Sequence, residues 1–318
     1  MGKRGRAQTL LEYAAVRALL SGLGLGRAAY ALAGGLRRTG LRNLELAFPE
    51  VSARERERLL RGSFLSLGRQ LGEVSQFPRA TPERLREVVE YDPEDVKLLD
   101  VARERGRGVI FLTAHLGAWE LLCFAHSVFY SPLSFLVRPI DNPLVEELVE
   151  SLRTRFGNEP IDKKSAARRA LKLLRDGGTL GVLADLNSQE REGVFVPFFG
   201  HLACTTAGVA TLALRTDATV IPCFAPWDER RGKFVFRGGP VLELVRTGDH
   251  GRDVEVNTAR FTAAIEDYIR RFPDQWLWIH KRWKTRPPGE PDIYARRPAE
   301  PAGARILSSS STEKIYKT

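Results

Sequence analysis

The sequence predicts an α/β fold: a mostly parallel central sheet flanked by helices, with an amino-terminal helical membrane-associating region. Three observations carry that expectation. From residue 108 onward short apolar runs alternate with amphipathic stretches of helical length, the pattern of a parallel sheet covered on both faces. Val109, Ile110, Phe111 and Leu112 form a continuous apolar run between Gly108 and the polar Thr113, as a strand buried on both faces does. Within residues 1–42, Lys3, Arg4, Arg6, Arg17, Arg27, Arg37, Arg38 and Arg42 face Glu12 alone. Eight cations against one carboxylate give +7, most of the whole chain's net +10.

The elements follow in order. Residues 9–36 are rich in Leu, Ala and Gly, but Glu12, Arg17 and Arg27 interrupt them. The longest uncharged run, 18–26, is about half of the ~20 residues that a spanning helix needs, so an interfacial amphipathic helix is the expectation. Ser52 and Glu55 form a capping box ahead of Leu59, Leu60, Phe64, Leu67 and Leu71 at helical spacing. Thr81-Pro82-Glu83 and Asp92-Pro93-Glu94 each place a cap residue before a proline at the first helical position. After the strand at 109–112, helices are expected over 117–130, 143–156, 164–175 (stopped by Gly177-Gly178), from Thr205 or Thr206 to 215, and over 253–271. Strands are expected at 133–137, 179–184 and 219–225. Residues 234–237 and 241–245 look like a strand pair turning at Gly238-Gly239-Pro240, a possible antiparallel edge. The prolines, arginines and serines after Lys284 predict a disordered tail. The expected organisation is a membrane-associating segment over 1–39, a main folded domain over 40–285 and a tail over 286–318.

A chain of 318 residues with 43% hydrophobic and 28% charged residues has the composition of a folded globular protein. Cys123, Cys204 and Cys223 are widely spaced in apolar surroundings, as small buried hydrophobes in a reducing compartment are. The five histidines show no ligand spacing, which argues against a metal site. The basic leader favours an anionic membrane surface over nucleic acid, since no helix-turn-helix, zinc-finger or aromatic ribonucleoprotein pattern is present.

His115 stands where the central strand runs out, and Glu120 opens the next helix. On one continuous helix the two would lie about 140° apart, so a turn at Leu116–Gly117 is required for them to meet. The crevice at the carboxyl ends of strands is where open α/β sheets hold ligands. The chemical reading is a general base, His115, oriented by Glu120. A structural histidine with an ordinary first-turn glutamate explains the spacing as well. Arg138 follows the strand at 133–137 and suits a phosphate or carboxylate ligand, or solvent. Arg153 lies on the following helix, and Asp185 ends the strand at 179–184 along the same edge as His115. The apolar Phe195–Gly200 stretch suits core packing or an acyl pocket. The closing block 275–284 sets Trp276, Trp278 and Trp283 among Lys281, Arg282 and Lys284, which fits either a membrane interface or plain packing.

In these blocks the chain resembles the bacterial lipid A acyltransferases, the lauroyl and myristoyl transferases of the lysophospholipid-acyltransferase superfamily. His115-Leu-Gly-Ala-Trp-Glu120 matches the family's His-x-x-x-x-Asp/Glu box. Arg138-Pro-Ile-Asp-Asn-Pro, Arg153, Asp185, Gly193–Gly200 with Thr205-Thr206-Ala-Gly208, and Gln275–Trp283 match its later segments in order, over roughly residues 40–285. The resemblance implies transfer of a fatty acyl chain from an acyl carrier protein or coenzyme A thioester to a hydroxyl of a lipid A precursor or related glycolipid, at the cytoplasmic face of the bacterial inner membrane, by a protein held there peripherally or by an amino-terminal anchor. It implies His115 and Glu120 as catalytic residues, Arg138, Arg153 and Asp185 as substrate-binding residues, and no metal or cofactor beyond the thioester substrate. Backbone N–H groups near Gly117 are expected to stabilise the oxyanion. Three rivals use the same features: a glycolipid or lysophospholipid acyltransferase of another pathway, an acyl thioesterase, and a non-catalytic basic protein that binds membrane or nucleic acid.

Overall fold

A computed structural model describes residues 24–76, 81–137, 143–162 and 166–295. Its centre is a sheet in the order β1-β10-β8-β2-β5-β3-β4. The five strands β8 (Thr219–Phe224), β2 (Val109–Thr113), β5 (Thr179–Leu183), β3 (Ser134–Val137) and β4 (Glu159–Asp162) run parallel. β10 (Lys233–Gly238) is antiparallel to β8, and the short β1 (Val89–Tyr91) lies parallel to β10. A two-residue strand, β9 (Trp227–Asp228), pairs with β10. The expected mostly parallel sheet with an antiparallel edge is therefore present. The edge itself is built differently. Residues 241–245 do not pair with β10, because Leu242 instead bridges Val220, while β10 pairs with β8 and β1.

Alternation along β2 sends its side chains to two cores. Ile110 and Leu112 join the larger apolar cluster and Val109 and Phe111 the smaller. The larger cluster is covered by α2 (Gly34–Ala47), α3 (Ala53–Val74), α8 (Ala166–Arg175), α9 (Gly208–Thr216) and α10 (His250–Arg271). The smaller lies under α4 (Pro82–Val88), α5 (Pro93–Glu104) and α6 (Trp119–Phe129). All five residues of β2 are buried, as a strand with helices on both faces requires.

The caps read from the sequence form as expected. Ser52 accepts from the Glu55 N–H, Thr81 from Arg84 and Asp92 from Glu94, with Pro82 and Pro93 in the first turns. Glu55 does not complete the reciprocal box; its carboxylate pairs with Arg58. The expected helix capped by Thr205 or Thr206 is displaced. Both threonines end a strand, β7 (His201–Thr206), which forms an antiparallel hairpin with β6 (Gly193–Phe198). The two turn residues, Phe199 and Gly200, both take positive φ, as a two-residue hairpin favours. Phe198 and Phe199 are buried in core, so this stretch packs rather than lining an acyl pocket.

Nor is the tail disordered from its start. Tyr294 donates to Asn43 and Arg42 to the Ile293 carbonyl, tying residues up to 295 onto α2. Of the leader, residues before 24 lie outside the described residues. The described part begins with α1 (Leu25–Leu32), preceding α2, and no helix among the described residues is long and apolar enough to cross a membrane. Leu32 is 86% exposed and Leu36 43%.

Candidate active site

β2 is flanked by β5 and β8, so its carboxyl end opens at the middle of the sheet. In the parallel register Thr113 pairs with Leu183. Two residues further along each chain stand His115 and Asp185, brought side by side by that pairing. His115 Nδ1 lies 2.8 Å from Asp185 Oδ1, and the His115 backbone N–H donates to Asp185 Oδ2 at 2.9 Å. The Trp276 indole N–H donates to the same Oδ2 at 2.7 Å.

Beyond His115 the chain must leave the sheet and start α6. Gly117 makes that turn with φ of +63°, and a Cβ there would meet the Ala225 carbonyl oxygen at 2.1 Å. Only glycine allows so close an approach in that conformation. The turn is stitched on two sides: the Gly117 N–H donates to Gln275 and the Ala118 N–H to Ala225, while the His115 carbonyl accepts from Leu277. The closing block therefore serves as the wall behind the histidine. Trp276, Trp278 and Trp283 are completely buried, so these indoles pack rather than forming a membrane belt. Arg282 is also completely buried. Its guanidinium donates to the Cys204 carbonyl and the Thr205 hydroxyl and lies over the Phe198 ring.

The electrostatics suit a proton-accepting imidazole. Burial pulls the His115 pKa down, but the charge and hydrogen bond of Asp185, and then the charge of Glu120, more than offset it, leaving the pKa above the ordinary histidine value. Burial pushes Asp185 up, but His115 and the hydrogen bonds from its ring, its backbone and Trp276 hold the carboxyl below the usual range. With Asp185 on Nδ1, the neutral ring carries its proton there and leaves Nε2 free to accept one.

Two expectations are corrected by this arrangement. Glu120 does not hold the His115 ring, because Asp185 already takes Nδ1. Glu120 sits on α6 and accepts at 3.1 Å from Arg153, on α7 (Pro143–Thr154). Asp185 is not placed to bind substrate: it is buried, and its oxygens are engaged by His115 and Trp276. Of the backbone N–H groups near Gly117, those of Gly117 and Ala118 donate to carbonyls. Arg138 lies outside the described residues.

A cavity of about 190 Å³ lies among β2, β5, β3 and α6. Thr113, Trp119, Glu120, Cys123, Arg153 and Gly181 are among its walls, with Phe135, Val137 and Leu183 as apolar lining. Trp119 also packs edge-on against the His115 ring, with centroids 5.0 Å apart. The Cys123 thiol is pushed up to about 12, first by burial and then by the Glu120 charge, which removes it as a nucleophile. Among the described residues no group of three or more His, Cys, Asp and Glu side chains gathers as a metal site does. Sequence reasoning missed Thr113, Trp119 and Trp276 as parts of the site. Trp276 had a signal, the tryptophan-rich block; Thr113 had only its position two residues before His115.

Comparison with known proteins gives the same direction. The model of the bacterial lipid A biosynthesis acyltransferase family matches residues 6–285, so the similarity begins well before residue 40. The chain is 32% identical over 282 residues to the lipid A biosynthesis lauroyltransferase of Escherichia coli K12, covering 86% of this chain and 87% of that protein. It is 25% identical over 278 residues to the lipid A biosynthesis myristoyltransferase of the same strain, with 87% and 84% covered. To the palmitoleoyltransferase of that strain it is 29% identical over 260 residues, with 80% of each covered. The chain belongs to the bacterial lipid A biosynthesis acyltransferase family and is an acyltransferase.

Proposed function

We propose that this enzyme moves a fatty acyl chain from a carrier thioester to a hydroxyl of a lipid A precursor, with His115 as general base. The observation that carries the reading is the Asp185–His115 contact at the open end of the central strand. His115 Nε2 takes the proton of the acceptor hydroxyl as its oxygen attacks the thioester carbonyl. Asp185 holds the ring and stabilises the imidazolium. On collapse the C–S bond breaks, and the imidazolium returns the proton to the leaving thiolate. Glu120 acts on His115 through its charge and positions Arg153 through their ion pair. Arg138 serves the phosphate of the acceptor or of the carrier's phosphopantetheine arm.

Acyl carrier protein is the donor that the net +10 of the chain favours, because that carrier is acidic. Association is peripheral, at the cytoplasmic face of the inner membrane, through exposed Leu32 and Leu36 beside Arg37 and Arg38 and through the basic leader. Mass spectrometry of membrane lipids from a deletion strain tests the whole reading. A missing acyl chain on lipid A, restored by the parent gene and not by H115A, is expected. Unchanged lipid A, or full restoration by H115A, overturns it.

A further inference from the structure

The contact between Asp185 and His115 sits inside a closed circuit of hydrogen bonds. The Leu277 N–H donates to the His115 carbonyl at 3.0 Å, and the His280 N–H to the Leu277 carbonyl at 3.3 Å. The Asn187 N–H then donates to His280 Nε2 at 3.0 Å. Asn187 lies two residues beyond Asp185, whose carboxylate meets His115 Nδ1 at 2.8 Å and closes the circuit. Apart from that last contact, only the link between His280 and Asn187 runs through a side chain. It therefore depends on which residue stands at 280.

What this link holds is the stretch that carries Asp185. The pairing of β2 with β5 ends at Leu183, and Ala184 donates to Thr113 just beyond it. Past that point Ser188 donates to Cys204 on β7, and the remaining ties come from the carboxyl-terminal block. Asn187 Oδ1 accepts from the Thr285 N–H and its Nδ2 donates to the Thr285 hydroxyl, both at 2.9 Å. Residue 280 is fixed in turn on α2, where Asn43 Nδ2 donates to the Trp278 and His280 carbonyls at 2.6 Å each. His280 thus stands between α2 and the loop after Asp185. A misplacement of about 1 Å at a catalytic contact can cost about a hundredfold in rate, so the seating of that loop bears on the chemistry.

The ring is suited to accept. Burial pulls the His280 pKa below the ordinary histidine value; Asp185 opposes this, and the charges of Arg282, His115 and Lys284 add to it. The imidazole is therefore neutral at neutral pH, with its proton on Nδ1 and the Nε2 lone pair turned to Asn187. Because that lone pair is engaged, His280 is not a second base.

We propose that His280 is a positioning residue for the proton transfer, its Nε2 holding the Asp185 loop through Asn187 so that the carboxylate reaches the His115 ring. This rests on the acyl-transfer reading above, in which His115 is the base. His280 acts through Asn187 and Asp185, without contact to the reacting atoms.

The test compares the full-length parent with H280Q and H280M. The glutamine carbonyl oxygen takes the place of Nε2 as acceptor, and methionine fills the space without a strong one. With dodecanoyl-acyl carrier protein and a lipid A precursor, H280M is expected to lose about tenfold to a hundredfold in kcat, and H280Q to stay within about threefold of the parent. NMR titration of the His115 ring, assigned by the signal missing from H115A, reads the orienting contact without turnover. A loosened Asp185 brings the His115 pKa down toward the ordinary value, so its midpoint should fall by about half a unit or more in H280M and hold in H280Q. A purely structural role would lower stability and leave that midpoint in place. H280M with the parent's rate or the parent's His115 midpoint, or H280Q as impaired as H280M, would each overturn the assignment. Should H280M not fold, H280Q decides alone, and a slow H280Q with a lowered midpoint overturns it. A parent that transfers nothing from this thioester or its coenzyme A counterpart sinks the acyl-transfer reading instead, while the His115 titration still decides the positioning role.

Discussion

Asp185 holds His115 at two points, the ring Nδ1 at 2.8 Å and the backbone N–H at 2.9 Å. A carboxylate that grips both the ring and the chain bearing it fixes the ring's tautomer and its direction together. Replacing it by asparagine keeps the shape and removes the charge. D185N is expected to lower kcat by about 10²- to 10⁴-fold, the range for losing the carboxylate behind a catalytic histidine. Steady-state kinetics on purified protein, with a melting curve to establish folding, check this. A D185N protein within about threefold of the parent contradicts the orienting role.

The pH dependence has a definite sign. His115 must be neutral to accept a proton, and its pKa is raised in the folded protein, so activity is lost as pH falls through a value above ordinary histidine. Glu120 contributes to that raise through its charge. E120Q should therefore move the acid limb of kcat/KM to lower pH, whatever it does to the plateau. The same substitution leaves the Arg153 cation unpaired, which pushes the limb the same way. An unmoved limb, or one shifted to higher pH, would show that Glu120 does not act on the base.

Trp276 supplies the third hydrogen bond to Asp185. W276F retains an aromatic ring in the buried site and removes the indole N–H. Loss of one buried hydrogen bond to a charged group predicts a stability loss of about 1.5–3 kcal/mol. Denaturant unfolding reads it, and a stability equal to the parent's would show that this hydrogen bond contributes nothing.

At Gly117 the turn admits no side chain. A methyl group would meet the Ala225 carbonyl oxygen at 2.1 Å, in a conformation with φ of +63°. G117A is expected to lose about 2–4 kcal/mol of stability through strain and backbone displacement. A melting temperature equal to the parent's would mean that the turn is not fixed as described.

Gly181 lies on β5 under the cavity, and a Cβ there would make only ordinary contacts, at 3.6 Å from Leu133 and Phe135. G181A therefore takes up cavity space without forcing the backbone. Competition between thioesters of different length should show a shift toward shorter chains, by about tenfold for one or two methylenes. An unchanged length preference would place the acyl chain elsewhere.

Much of this arrangement was legible in the sequence, and what was missed has physical reasons. The apolar run before His115, the proline-marked helix starts and the break at Gly117 are local signals, and each formed where the sequence placed it. The Asp185–His115 contact is not local. It arises from strand register, which pairs Thr113 with Leu183 across 70 residues of chain, and spacing along one helix start pointed to Glu120 instead. The β6–β7 hairpin escaped because its turn uses Phe199 at positive φ, where a turn signal is expected from Gly or Asn. The tryptophans near the carboxyl end carried equal signals for membrane and core, and only packing against Phe198, Phe48 and Asp185 decided between them.

The most direct measurement is the rate of acyl transfer by purified, folded H115A under single-turnover conditions, with the thioester and the lipid A precursor pre-bound. An imidazole that takes the acceptor's proton predicts a loss of about 10²- to 10⁴-fold with the thioester still bound. Transfer at the parent rate would contradict it.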